Sequence, residues 1–495
     1  MGIAENTVIR NIQRKRYLIC SCVSFSVVMF VYWTWRERDI SLAPISMIGP
    51  VTVIALILMS DVLRSRFSLL SPKTMVITGF LTFFTIGATA NAGKYQQYPP
   101  ALIFLCSGLI TLGIVFFNLG FRAGERSKVF SEFLQSTKGI LNEKRVFRVI
   151  LALKGIGLVF TLYVASKVNV PLIYQLLSSR AQIEGSDFVF WNSNLRYFAW
   201  LGDFVAVGAI LAGFLLAKKW GALLHKILLS TGILFALTIK FLLGSRYYFI
   251  WLLFSIFLSY WLGLTSTKRT RNTRYLLIAI VVTAVPLSLM TQYRHIGFKD
   301  LNWRKVNYLN FNSLVEGGLD QFFSPIEVID AIPSRYGYLY GSSYYALFLN
   351  FIPRKWWPNK PGGFSIYMDE IIGVEGLYTT LEGNILGNSV SASIIGELYG
   401  NFGYLGIPLG MLAFGALAGW WYRLSRSHAD NIGLQLLFIH SLPVFAMEVR
   451  GDFLAITMAY AMQAIPLYVV IRCARITQEP IQINYHKKVI YPIKP

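Results

Sequence analysis

The chain has 495 residues, of which 55% are hydrophobic, 15% aromatic and only 14% charged, with mean hydropathy +0.52 and formal net charge +22. Soluble domains carry roughly 25% charged residues, so this composition excludes disordered, collagen-like and ordinary cytosolic chains and points to a polytopic membrane protein. The positive charge does not read as a nucleic-acid footprint, because the basic residues are dispersed over seven short segments and form no single face.

A helix needs about 20 mostly apolar residues to cross the hydrocarbon core. In chain order, spans are predicted near 17–35, 42–60, 74–90, 101–121, 149–170, 197–217, 227–243, 246–264, 275–293, 391–422, 432–447 and 453–472. The first is flanked by charges and lacks a small-residue cleavage site, so it is read as a retained span and not a signal peptide. The turn Gly244-Ser245-Arg246 makes the seventh and eighth spans an antiparallel hairpin. The tenth is overlong and glycine-rich, so its first ten residues are candidates to re-enter the membrane instead of crossing it.

Lys and Arg accumulate on the cytoplasmic side of membrane proteins. With the N-terminus inside, the inside segments hold 28 Lys+Arg against 7 Asp+Glu, and the outside segments hold 16 against 15. Nearly all the excess charge is thus a topology signal, with both termini cytoplasmic and anionic lipid as its counterpart. Cys20, Cys22, Cys106 and Cys473 fall in predicted spans or at the inner face, with no disulfide framework, no CxxC and no zinc spacing.

Two external segments are long, 171–196 and 294–389. The second is rich in Tyr, Phe and Trp and is expected to be ordered, with an amphipathic helix over 314–332 interrupted at Pro325 and an interfacial or re-entrant segment over 341–352. The domain reading is an N-terminal bundle over 1–293, a large external loop over 294–389, a C-terminal bundle over 390–475 and a tail over 476–495. There is no internal repeat and no matched pair of halves of the kind common in secondary transporters.

The external face gathers Arg180, Arg196, Arg246, Arg294, Arg304, Arg335, Arg354 and Arg450. Guanidinium forks match phosphate oxygens with paired hydrogen bonds, although arginines near span ends also simply snorkel. The run Ile352-Pro353-Arg354-Lys355-Trp356-Trp357-Pro358-Asn359-Lys360-Pro361 sets two indoles among three cations. It suits either sugar stacking beside phosphate or anchoring at headgroup depth. Candidate general bases are Asp203, Asp369, Glu370, Glu375, Glu382, Glu397, Glu448 and Asp452, and His295 is the only external histidine. Asp203 and Lys240 are expected to form a structural ion pair, and Glu448, Arg450 and Asp452 a self-paired polar turn. Glu397 lies in the glycine-rich run Gly396-Glu397-Leu398-Tyr399-Gly400-Asn401-Phe402-Gly403, where a broken helix can hold a carboxylate toward the external cavity. GxSxG, HExxH and Walker loops are absent from the sequence.

The Gly-Ser-Arg turn at 244–246, the proline-arginine-tryptophan run at 352–361, the glycine-rich run at 396–406 and Arg450-Gly451-Asp452 before the last span are similar to features of the Wzy-type O-antigen polymerases. These bacterial envelope enzymes polymerise oligosaccharide repeat units. The resemblance implies an all-α fold of about twelve transmembrane helices with its large loop between helices 9 and 10, like the glycosyltransferases of GT-C type that use lipid-linked donors. It further implies metal-independent glycosyl transfer at the periplasmic face of the inner membrane, without a cofactor, between undecaprenyl-pyrophosphate-linked oligosaccharides. A chain-length regulator and a flippase of the same pathway would be partners. On this chain it implies Glu397, Arg246 and Arg450 as catalytic residues. Arg180, Arg196, Arg294, Arg335, Arg354, Lys355, Trp356, Trp357 and Lys360 would hold pyrophosphate and sugar. The alternatives are an O-antigen ligase, a lipid-linked oligosaccharide flippase and a membrane scaffold protein.

Overall fold

In the computed structural model, residues 42–64, 67–127, 140–167, 201–242, 246–264, 286, 288–290, 320–352, 356–357, 359–372 and 390–476 are described. Among the described residues the secondary structure is helical, apart from a two-residue antiparallel pairing of Ile140–Leu141 with Arg475–Ile476. Among the described residues, eight helices are long and apolar enough to cross a membrane. These are α1 (Leu42–Leu63), α2 (Pro72–Ala90), α3 (Pro100–Arg126), α4 (Glu143–Lys167), α6 (Leu223–Leu242), α11 (Ser393–Ser427), α12 (Ile432–Arg450) and α13 (Phe453–Ala474). Between them lie α5 (Phe204–Ala217), a shorter apolar helix, and α7 (Arg246–Gly263). The loop contributes α8 (Phe323–Ala331), α9 (Ser342–Leu349) and α10 (Phe364–Ile371).

Ten of the twelve predicted spans therefore correspond to observed helices, although only eight of these reach crossing length by composition. Residues 17–35 lie outside the described residues, as does most of 275–293. Pro325 does not interrupt a helix. It sits in the first turn of α8, where its missing N–H costs nothing.

Local signals set several boundaries. Ser71 caps α2 by accepting from the Thr74 N–H at 3.1 Å with Pro72 at the first helical position, and Asn431 caps α12 through the Leu434 N–H at 3.1 Å. α5 buries Val205 through Leu215 without interruption, the mark of an apolar helix enclosed on all sides.

The centre of the bundle is a parallel crossing of α3 and α11. Gly120 and Gly124 lie against the backbone of Leu412 and Ala416, and Gly415 and Gly419 lie against that of Phe117 and Phe121. Two small-xxx-small faces thus let the backbones touch, the usual device for helix association in lipid. A Cβ at Gly120 would stand 2.0 Å from the Leu412 carbonyl oxygen. Gly120→Ala is therefore expected to destabilise by about 1–3 kcal/mol or more, read as a lower thermal midpoint of the purified protein. Gly108→Ala, on the same helix with nothing within 4 Å of its added Cβ, is the control. Equal midpoints for the two variants would refute the close crossing.

The segments expected inside meet at one end. Lys73 pairs with Asp61 and lies over Phe121 at 5.2 Å, Arg423 donates to the Glu125 carbonyl at 3.4 Å, and residue 140 pairs with 476. At the other end, Tyr95 and Tyr98 donate to Asp320 and Glu327 and tether the loop to the α2–α3 connection. Burial holds both phenols above their usual range, so they remain protonated donors. Lys240 pairs with Asp203 near this end, as the sequence reading expected.

Candidate functional site

The glycine-rich run breaks α11. Gly403 has φ 64° and ψ −153°, a conformation essentially restricted to glycine. The arm before it turns back on the arm after it: Leu398 seats against Gly406 and Gly410, while Ile395, Ile407 and Met411 all pack at Gly113 of α3. The first arm is therefore antiparallel to the second and reaches the level of the middle of α3. This is the shape expected of a re-entrant segment.

Glu397 lies on this returning arm and is 1% exposed. Its Oε1 accepts from Ser343 Oγ at 2.7 Å, and its Oε2 accepts from the Phe453 N–H at 2.9 Å. Phe453 opens α13, so the carboxylate rests on the positive end of a helix dipole, worth about half an elementary charge. Asp452 caps the same helix through the Ala455 N–H at 3.1 Å and also accepts from the Ser365 N–H of α10 at 2.7 Å. Glu448, one turn earlier, accepts from Thr457 Oγ1 at 3.1 Å.

Asn401 fixes the arm in place. Its Nδ2 donates to the Glu397 carbonyl at 2.8 Å and to Ser343 Oγ at 2.9 Å, while its Oδ1 accepts from the Gly341 N–H at 2.9 Å. Tyr344, beside Ser343 on α9, lies among the charges of Glu397, Glu448 and Asp452, and burial with these carboxylates raises its phenol well above the usual range. It is therefore a hydroxyl donor at any physiological pH. Among the described residues, no three His, Cys, Asp or Glu side chains converge closely enough to hold a metal ion.

Two cations, Arg450 and Arg246, lie at or near the same turn. The Arg450 guanidinium lies over the Tyr247 ring at 4.0 Å and 5.8 Å from the centroid of Phe83. Among the described residues it makes no ion pair, and its buried Nε has no hydrogen-bond partner. The turn is thus not self-paired, contrary to expectation: Glu448 and Asp452 are engaged by α13 and α10, which turns them away from Arg450. Arg246 is an electrostatic neighbour of Arg450 and opens α7, where a cation opposes the helix dipole. The two arginines come within electrostatic reach because α7 is locked to α12: the Trp251 indole donates to the His440 carbonyl at 3.0 Å and stacks on its ring, and Ser255 Oγ meets His440 Nδ1 at 3.1 Å.

The structure thus gathers Glu397, Arg246 and Arg450 around the α12–α13 turn. Arg335 instead pairs with Asp330 at 3.1 Å on an exposed stretch of the loop. Lys360 is a correction. Its buried ammonium donates to the carbonyls of Leu349, Asn350 and Ile352 at 3.2, 3.3 and 2.5 Å, closing the C-terminal end of α9 instead of facing phosphate. Trp356 and Trp357 are exposed beyond it. Arg180, Arg196, Arg294, Arg354 and Lys355 lie outside the described residues, as do His295, Glu375 and Glu382.

Sequence reading missed Ser343, Tyr344, Asn401 and His440. The one available signal was the buried spacing Ser343, Ala346, Leu349, which marks a single face of α9. No family model, no curated protein and no solved structure matches the chain.

Proposed function

We propose that the chain is a Wzy-type polymerase. It joins undecaprenyl-pyrophosphate-linked oligosaccharide repeat units of O-antigen or a related surface polysaccharide at the periplasmic face of the bacterial inner membrane. The observation that carries the reading is a buried carboxylate on a helix N-terminus, facing a turn whose arginine has no acidic partner among the described residues. In this reading twelve spans place both termini in the cytoplasm. Arg450 and Arg246 bind the donor pyrophosphate and stabilise the charge that grows on it as its bond to the sugar C1 breaks. Glu397 accepts the proton of the acceptor hydroxyl as that oxygen bonds to C1. Arg180, Arg196, Arg294 and Arg354 supply further phosphate contacts, and a chain-length regulator and a flippase of the pathway work beside it.

Arg450→Ala is expected to lower the rate of repeat addition about 10²–10³-fold. Arg450→Lys is not expected to restore it, since an ammonium lacks the planar fork and its stacking on Tyr247. The rate is read from polymer formed by purified protein on lipid-linked repeat units. The decisive test is a lipopolysaccharide gel from a strain lacking only this gene. A ladder collapsed to core plus one repeat supports the polymerase. Loss of all repeats, with long lipid-linked polymer accumulating, overturns it in favour of a ligase. An unchanged ladder refutes a role in O-antigen.

A further inference from the structure

The helix that hands Ser343 to Glu397 has a second face. Ser343, Ala346 and Leu349 are buried, while Tyr345 and Phe348 are 51% and 75% exposed. Tyr340 before the helix and Phe351 and Trp356 after it enlarge the patch, at 80%, 57% and 79% exposure. Patches of this kind on a protein surface mark a binding surface.

Three observations identify what covers it. The stretch 336–352 contains no Asp, Glu, Lys or Arg, so no side-chain charge in it resists a low-dielectric surrounding. The carbonyls at the end of α9 are closed by the Lys360 ammonium, as a helix end requires where water is scarce. The patch is also continuous with a span. Phe402 stacks on Tyr344 at 6.1 Å and is itself half-exposed, and from it the exposed Leu405 and Leu409 lead along the second arm of α11. Aromatic residues concentrate at headgroup depth, and amphipathic helices lie there in the membrane plane.

We propose that α9, with Tyr340, Phe351 and Trp356 flanking it, is seated in the outer headgroup layer of the bilayer, its partner being the lipid surface itself. The aromatic face rests in lipid while the opposite face holds Ser343 against Glu397, so bilayer contact positions one wall of the buried site. This inference is independent of the reaction assigned above.

The test uses the full chain in lipid nanodiscs with Cys20, Cys22 and Cys473 replaced by Ser and the buried Cys106 kept. An environment-sensitive fluorophore is attached at Phe348→Cys, at Leu409→Cys as the lipid-facing reference, and at Ser334→Cys as the aqueous one. Lipids carrying a nitroxide near the acyl carbonyl serve as quencher. Position 348 is expected to give blue-shifted emission that is quenched like that of 409, with 334 neither shifted nor quenched. Emission at 348 matching 334 overturns the proposal. Blue-shifted but unquenched emission also overturns it, because protein, such as a second copy, then covers the face. Tyr345→Cys repeats the measurement if the Phe348 variant does not fold.

Discussion

If the chain is the polymerase proposed above, Glu397→Gln is expected to slow repeat addition by about 10²–10⁴-fold, the usual contribution of a positioned base, with little loss of fold. The amide oxygen still accepts from the Phe453 N–H, and the amide nitrogen can donate to Ser343 Oγ, which keeps a lone pair beside its bond from Asn401. The oxygens and nitrogens of the network thus stay in contact, but the Ser343 hydroxyl hydrogen loses its acceptor, so a small fall in midpoint accompanies the lost capacity to take a proton. The rate on lipid-linked repeat units and the thermal midpoint of the same preparation check the two halves separately. A Gln variant that polymerises at the original rate reduces Glu397 to a structural anchor. A variant that loses rate and midpoint together shows that the charge on the helix N-terminus is needed for folding.

Gly403→Ala carries the second large effect. At φ 64°, ψ −153° a Cβ costs roughly 1–3 kcal/mol in backbone strain, and it would also stand 3.1 Å from the Tyr338 hydroxyl oxygen. Straightening the helix would relieve both, at the cost of lifting the arm that bears Glu397 away from Ser343 and Phe453. The expected outcome is a lower thermal midpoint and a loss of polymer approaching that of Glu397→Gln. Tyr338→Phe added to Gly403→Ala removes the hydroxyl contact but not the strain, so it should recover little. Wild-type activity in Gly403→Ala would mean that the bend is not needed to present the carboxylate.

Many of the apolar helices were legible because hydropathy acts segment by segment. The breaking of α11 was also legible, since a run of glycines beside a carboxylate has few other uses within an apolar helix. The polar network was not. Ser343 and Asn401 meet across 58 residues, and Phe453 meets Glu397 across 56. Such hydrogen bonds leave no period in the sequence. Lys360 misled for the opposite reason: its partners are carbonyls only 8–11 residues upstream, and backbone acceptors are invisible to a reading of side-chain types. The paired glycines at 120/124 and 415/419 were in plain view as a helix-crossing signal. They were overlooked because 290 residues separate the two faces.

That separation bears on the order of assembly. Chains are made from the N-terminus at about 5–20 residues per second, so α3 waits for at least ten seconds or so before its partner in α11 emerges. Throughout that interval a strip of bare glycine backbone faces lipid or a temporary neighbour. A nascent chain halted before 393 would present this unfilled groove, although the acceptors of Tyr95 and Tyr98, Asp320 and Glu327, would already have been made. The last three helices are therefore the closing piece of the protein, and they bring the carboxylate, the arginine and the groove's occupant into the bundle in a single step of synthesis.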